Sequence, residues 1–367
     1  MIRMPWNNQT APNLMLEVTD ACNADCKVCY KKKGDRFKSL KEVQNDIESA
    51  MSIRKLHTIT ISGGEPTLHP ELCSIITMIS EKGLHAFLLT NGVLVDNDYL
   101  VRMKESGLDS ILFHVETNQE RSDLPLNQTE REARTRLRNL IYMAKNADLD
   151  VSMSMTFYDG DMISLASTAH FFLNNPDLTF LFIARGQDVE RLHAEGQKNC
   201  SSGKLDDVIR FFKADYNIEP FSYIPATGGK GTVWISYFVP IIYSKGGKKL
   251  FRIRSTALDS WLMELPRIIT GRYIHKTTQK TFVTMARVFV NSMASIRPHL
   301  FVTFLWNALK KTSVLRHKMI VYDDGPHYTE DGNLIKCEYC PTGIVRGQDV
   351  LCCCTADYGN QNMEACL

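Results

Sequence analysis

The chain has 367 residues, is 44% hydrophobic and 23% charged, and carries a net charge of +2 with 13 Pro and 21 Gly, so it can bury a large core and has no room for extensive disorder. No run reaches the roughly 18 apolar residues of a spanning helix and the first residues lack a signal-like apolar stretch, so a globular enzyme of the cytoplasm is expected. Eleven cysteines in a reducing compartment argue against a disulfide scaffold, and their clustering at 22–29 and 337–366 points to metal or redox chemistry.

Short apolar, β-rich runs recur along the first part of the chain. Strands are expected at LMLEV (14–18), TITIS (58–62), HAFLLT (85–90), SILFHVE (110–116), VSMSMTF (151–157) and FLFIA (180–184). Amphipathic stretches such as SLKEVQNDIESAMSIRK and DNDYLVRMKESG lie between them, with Gly83 and Gly107 placed as helix C-caps. Such alternation predicts six βα units on a parallel sheet, a partial barrel.

The loop after the first strand, LEVTDACNADCKVCY, places Cys22, Cys26 and Cys29 with CxxxCxxC spacing. Three thiolates hold three irons of a cubane and leave the fourth open to an exchangeable ligand. A ferredoxin-like carrier needs a fourth nearby thiol, whereas Cys73 lies in the helical PELCSIITMIS and reads as a buried small apolar residue. On spacing alone, zinc is the rival. The second strand, however, runs into SGGEP at Ser62–Pro66. Paired glycines at a strand end let a ligand approach the backbone, and Glu65 supplies a carboxylate suited to an ammonium group. A zinc ribbon has no need of either.

With Tyr30 directly after the third cysteine, GGEP ending the second strand and LLTNG at Leu88–Gly92, the chain resembles the radical S-adenosylmethionine superfamily. The resemblance implies an α/β fold, a partial (β/α)6 TIM-like barrel. It also implies a 4Fe-4S cluster on Cys22, Cys26 and Cys29, with S-adenosylmethionine chelated to the open iron and held by Gly63, Gly64, Glu65 and Pro66. The implied chemistry is reductive cleavage to a 5′-deoxyadenosyl radical, with electrons from a reductant such as a flavodoxin or ferredoxin. Both motifs fall at strand C-terminal ends, where barrel sites gather. His114 and Glu116, in FHVET, stand where family members commonly present a small polar residue and an acid. Both point inwards if period 2 holds, and Glu116 is expected to meet the cofactor ribose or the substrate. By the same analogy Ser152 or Ser154 contacts the cofactor. Arg185, ending FLFIAR, is expected to pair with a carboxylate, either a ligand's or the protein's own.

After about residue 225 the character changes. From Lys230 to Lys318 there are sixteen Lys and Arg against Asp259 and Glu264, an excess of +14 in a chain whose total is +2. Trp261, Trp306, Tyr273 and several Phe are interleaved with these charges. This pattern predicts helices lying on an anionic membrane surface, with RNA as the second reading and a solvated helical face as the third. The expected divisions are a lead-in at 1–13, a barrel at 14–225, a basic and mainly helical region at 226–320, and a cysteine-rich extension at 321–367.

In that extension Cys337 and Cys340 form a CxxC hook, followed by Gly347, Cys352, Cys353, Cys354 and Cys366. The spacing resembles the auxiliary-cluster extension called SPASM, or its shorter twitch form. It implies one additional iron–sulfur cluster on Cys337, Cys340 and Cys352 or Cys354, with Cys366 as a further candidate and zinc as the alternative. The function expected is radical chemistry on an unidentified substrate, membrane-associated or lipid-linked. The alternatives are maturation of a ribosomally made peptide and a non-catalytic iron–sulfur or zinc-binding regulator. The expected location is the cytoplasm, with the periphery of a membrane as the second choice.

Overall fold

The computed structural model describes residues 1–158, 160–186, 205–229, 231–274, 281–294, 298–310, 312–328, 334–346, 349–354 and 356. The first part runs β1 (Ile2–Arg3), β2 (Asn13–Glu17), β3 (Ala24–Cys26), α1 (Leu40–Ile53), β4 (Thr58–Ser62), α2 (Leu72–Glu81), β5 (His85–Thr90) and α3 (Asn97–Glu105). It continues with β6 (Leu108–His114), β7 (Gln119–Arg121), α4 (Glu130–Asn146), β8 (Asp150–Phe157), α5 (Met162–Asn174) and β9 (Leu178–Arg185). The helices start where their sequences supply caps. Ser39 with Glu42 and Thr129 with Glu132 form capping boxes at α1 and α4, and Asp96 accepts from Tyr99 N at the start of α3.

All six expected strands form, as the parallel series β2-β4-β5-β6-β8-β9. Alternation sorts their side chains between two faces. Leu14, Leu16, Ile59, Ile61, Leu88, Ile111, Phe113, Met153, Met155, Leu181 and Ile183 face outwards and pack with the helices in one large core. Asn13, Thr58, Thr60, Ser62, Ser110, His114, Ser152 and Ser154 lie on the opposite face, together with Met15, Phe87, Leu89 and Leu112. One wall of the lumen is therefore rich in hydroxyl groups.

The second part comprises α6 (Leu205–Tyr216), β10 (Ser222–Pro225), β11 (Thr232–Ser244), β12 (Gly247–Leu250), α7 (Ala257–Thr270), α8 (Thr281–Ala294), α9 (Pro298–Ala308) and β13 (Val314–Asp323). The short β14 (His327–Tyr328), β15 (Leu334–Ile335), β16 (Ile344–Arg346) and β17 (Asp349–Leu351) follow. The region 226–320 holds the three helices α7, α8 and α9 and, beside them, an unexpected long strand, β11, which pairs with β13 from Trp234↔Asp323 to Tyr243↔Val314. The sheet runs on past the expected boundaries at 225 and 320. β13 adds to β9 as a seventh parallel strand, and β10, β11 and β1 continue the same 13-stranded sheet. Interleaved charges hid these strands, since Lys318 interrupts the apolar run of β13 yet is fully buried.

That lysine shows where much of the basic excess goes. Its Nζ donates to the carbonyls of Phe172 (2.9 Å), Asn175 and Leu178 (2.7 Å), capping the C-terminus of α5. Burial pushes its amine well below the usual lysine range. Arg252 and Arg254 converge on Glu219, and Arg287 lies 3.2 Å from Asp259 against the rings of Phe221 and Phe238. Arg272 donates to Leu56 O and Arg316 to Pro176 O. Many of these cations are structural.

The C-terminal segment ties β10, beyond the seven parallel strands, to β2 at the far side of the sheet. Near β10, Cys337 bridges Ala226 and Glu338 N donates to Pro225 O at 2.9 Å. At the other margin Asn13 Nδ2 donates to Pro341 O (3.1 Å), Arg54 Nη1 to Cys340 O (3.0 Å), and Ile344 pairs with Met15 of β2.

Candidate active site

Cys22, Cys26 and Cys29 sit on the loop that leaves the C-terminal end of β2, and three sets of contacts pin that loop. β3 pairs antiparallel with β7, bringing Gln119 Nε2 to 3.5 Å from Cys26 Sγ. Asn91 Nδ2 donates to Asn23 Oδ1 at 2.8 Å, tying in the end of β5. The third set explains the glycines. Gly64 N donates to Thr19 O (2.8 Å) and Glu65 N to Ala21 O (2.7 Å), so the end of β4 lies directly on the start of the cysteine loop. A Cβ on Gly63, whose φ is +143°, would stand 2.3 Å from Thr19 O, and one on Gly64 would stand 2.2 Å from Ala21 O. The sequence suggested that these glycines admit a ligand to the backbone. In the structure they admit the cysteine loop itself.

Glu65, expected to supply a carboxylate for an ammonium group, is buried and accepts from Thr67 N (3.0 Å), Thr67 Oγ1 (2.5 Å), Thr90 Oγ1 (2.6 Å) and Asn91 N (2.7 Å). Burial pushes its pKa up while these donors pull it down. Its carboxylate thus fixes the ends of β4 and β5 relative to each other, which leaves the backbone of Gly63–Pro66 as the part able to meet a ligand. Pro66 opens the single 3₁₀ turn Pro66–Leu68.

The donor set of the loop is soft, three thiols with no imidazole among them, which suits iron–sulfur ligation. Among the described residues no three His, Cys, Asp or Glu side chains converge on a single ion; a cubane takes each thiolate on a separate iron. Desolvation pushes the Cys26 thiol up to about 11, with Cys29, Cys22 and Glu116 adding to the rise, so the three thiols and the acid share one volume.

Across the lumen His114 and Ser154 both point inwards, as expected, and meet at 2.9 Å (Nδ1 to Oγ). Glu116 lies 3.7 Å from His114 Nε2 and accepts from Thr156 N, while burial pushes its pKa up. Ser152 Oγ is fully buried with no hydrogen-bond partner among the described residues, leaving a hydroxyl on the lumen wall for a ligand. Arg185 departs from this set. It shares the parity of Leu181 and Ile183, on the helix-facing side, and its Nη1 lies 3.9 Å from buried Asp324. That is an internal ion pair and not a lumen contact.

The second cysteine group lies against Trp6, Ile224, Trp234 and Val321 on the inner face of the added strands, with Phe180, Phe182 and Met319 packed alongside. Cys337, Cys340 and Cys352 share this cluster, with the sulfurs of Cys340 and Cys352 at 3.9 Å. As an acceptor for Cys337, Cys340 is driven well below the usual thiol range, and Cys337 is driven up. Cys353 turns to a separate cluster with Met15, Ile344 and Tyr30, while Cys354 borders both. Gly347 and Cys366 lie outside the described residues. Tyr30 joins the two cysteine regions, its hydroxyl 3.0 Å from Ser62 Oγ and its ring in the cluster of Cys353. Buried Glu17 joins them again, through Lys31 (3.3 Å) and Arg346 (2.8 Å). Local patterns carry no sign that Tyr30, Asn91, Gln119 and Glu17 make these contacts, because each spans distant elements.

Among curated proteins, the 7,8-dihydro-6-hydroxymethylpterin dimethyltransferase of Methanocaldococcus jannaschii is 32% identical over 114 residues, 29% of this chain and 22% of that protein. The tungsten-containing aldehyde ferredoxin oxidoreductase cofactor-modifying protein of Pyrococcus furiosus is 28% identical over 109 residues, 28% of this chain and 30% of that protein. The matches thus span less than a third of these relatives' length. Streptococcus suis SuiB, in a crystal structure bound to precursor peptide SuiA, aligns with a TM-score of 0.43 and 12% identity, over 57% of this chain and 47% of that one. The family model described as the Radical SAM superfamily matches residues 16–171, from β2 into α5. That segment, less than half of the chain, carries the three-thiol loop, the glycine-rich strand end packed on it and most of the hydroxyl-lined wall, and it is the part in which the chain is similar to the radical SAM superfamily.

Proposed function

We propose that this protein reductively cleaves S-adenosylmethionine and uses the resulting radical on a substrate held in the barrel lumen. Members of the superfamily are enzymes, and the family implies a 4Fe-4S cluster together with S-adenosylmethionine. When bound, these groups supply methionine and a 5′-deoxyadenosyl radical that takes a hydrogen atom from the substrate. In our reading Cys22, Cys26 and Cys29 hold the cluster, and the backbone of Gly63, Gly64, Glu65 and Pro66 holds the methionyl end of the cofactor. Glu116, Ser152 and Ser154 orient the remainder from the opposite wall. His114 fixes the Ser154 hydroxyl. The covered lumen keeps water and oxygen from the reaction. Electrons come from a flavodoxin- or ferredoxin-type reductant.

One observation carries this reading: the three-thiol loop is seated, through backbone hydrogen bonds, on the GGEP strand end at the rim of a polar lumen. The curated relatives bear different activities in their names, a pterin dimethyltransferase and a cofactor-modifying protein. The shared segment therefore accounts for a common first step, with substrate choice left to the rest of the chain. Cys337, Cys340, Cys352 and Cys354 are our candidates for a second cluster, in a SPASM- or twitch-like role.

Protein purified without oxygen is expected to contain iron and sulfide and, once reduced, to release 5′-deoxyadenosine from S-adenosylmethionine. Replacing Cys22, Cys26 and Cys29 together with Ala should abolish release while iron bound by the C-terminal group persists. Zinc alone after anaerobic reconstitution, with no cleavage, would sink the enzymatic reading and leave a metal-binding regulator.

A further inference from the structure

The helices α7 and α9, inserted between β12 and β13, are apolar on the wrong side. The inward face of α9 is conventional, with Phe301, Phe304, Leu305 and Ala308 packed with Phe238, Ile242 and Phe251 of the added sheet. Its outward face should be polar if water covers it. Instead Val302, Trp306 and Leu309, spaced i, i+4, i+7, are 64%, 71% and 77% exposed. On α7, Trp261, Ile268 and Ile269 are 54%, 65% and 73% exposed. Two separate helices thus each present a tryptophan and branched aliphatic side chains to solvent, more than single surface apolar residues explain.

We propose that α7 and α9 seat this protein on an anionic phospholipid surface, lying in the interface plane without crossing it. No described helix is long and apolar enough to cross a membrane. Tryptophans flanked by aliphatic side chains suit the boundary between headgroups and acyl chains. The charge of the region complements such a surface. Glu219 offsets one charge and Lys318 is buried, whereas carbonyl groups satisfy the donors of Arg272 and Arg316 without cancelling their charge, so most of the excess of +14 between Lys230 and Lys318 remains. That same excess repels a second copy of the chain across this face. An RNA partner is less well served, because Ile, Val and Leu offer no stacking surface. This inference concerns where the enzyme works and stands apart from the proposed reaction.

The test is sedimentation of the full chain with vesicles of phosphatidylcholine and phosphatidylserine in equal amounts, compared with phosphatidylcholine alone. Binding is expected with the mixed vesicles and should weaken as salt rises. Changing Ile268, Ile269, Trp306 and Leu309 to Ser should lower the bound fraction at least about tenfold, with the melting temperature and the release of 5′-deoxyadenosine in vesicle-free buffer unchanged. Should those variants fail to fold, quenching of tryptophan fluorescence by brominated phospholipid reads the same contact in the native chain. No sedimentation and no quenching overturns the proposal. So does vesicle binding indifferent to the substitutions in folded protein, or their abolishing instead a dimer or a complex with a mixed-sequence RNA.

Discussion

The two halves of the long sheet treat their inner faces differently. Between β2 and β8 that face carries hydroxyl and imidazole groups, Thr60, Ser62, His114, Ser152 and Ser154, near the cysteine loop. From β9 through β13 to β11 it carries Phe180, Phe182, Met319, Val321, Trp234 and Phe238, covered by the C-terminal cysteines and by α8 and α9. One wall offers polar contacts, and the other fills and closes the space.

The difference can be broken most severely at the seam beside the first wall. Gly64→Ala puts a methyl group against Ala21 O; an apo melt close to the parent's is expected, with release of 5′-deoxyadenosine lowered at least about 100-fold because the cysteine loop is displaced. Iron content of the anaerobically reconstituted protein checks this directly. An unchanged rate would show that the loop does not need its seat on β4.

Next in size is a test of whether the second half holds the first together. Lys318→Met leaves three carbonyls at the end of α5 without their donor and should cost about 3 kcal/mol in urea unfolding. A loss below about 1 kcal/mol would mean that water takes over the capping role.

His317 joins the same strand to the covering helices, with Nδ1 3.0 Å from Thr284 Oγ1 and its ring stacked on Phe238. Burial, aided by Arg287 and Arg316, lowers its pKa from 6.5 to about 4. The unfolded chain therefore takes up a proton that the folded chain refuses, so stability is full above pH 6.5 and falls as the pH drops towards 4. The expected loss is roughly 3 kcal/mol, and His317→Gln should flatten that part of a stability profile. The smallest effect belongs to the first half. Asp96→Ala removes the cap of α3 and should cost about 1 kcal/mol without altering acid sensitivity.

Much of the first half was legible because its signals are local. Period-2 alternation marked the six parallel strands β2, β4, β5, β6, β8 and β9 and put His114 on the inner face; the cysteine spacing and SGGEP lay at strand ends by sequence alone. In the second half charge and fold disagree. Lys318 and Arg287 look like surface cations, yet are buried against carbonyls, rings and Asp259, so β13 went unread. Arg185 was expected to pair with a carboxylate of a ligand or of the protein, and its parity puts it beside Asp324.

By itself the sequence determined the kind of chemistry and the strands that bear it, because thiol spacing, glycine pairs and alternation are properties of neighbouring residues. Tertiary structure alone decided what Gly64 and Glu65 do, which cations remain near the surface and which half covers the lumen. Those outcomes depend on partners up to hundreds of residues away, such as Asn13 with Pro341 and Arg54 with Cys340, and no local pattern encodes a contact whose other half lies at the far end of the chain.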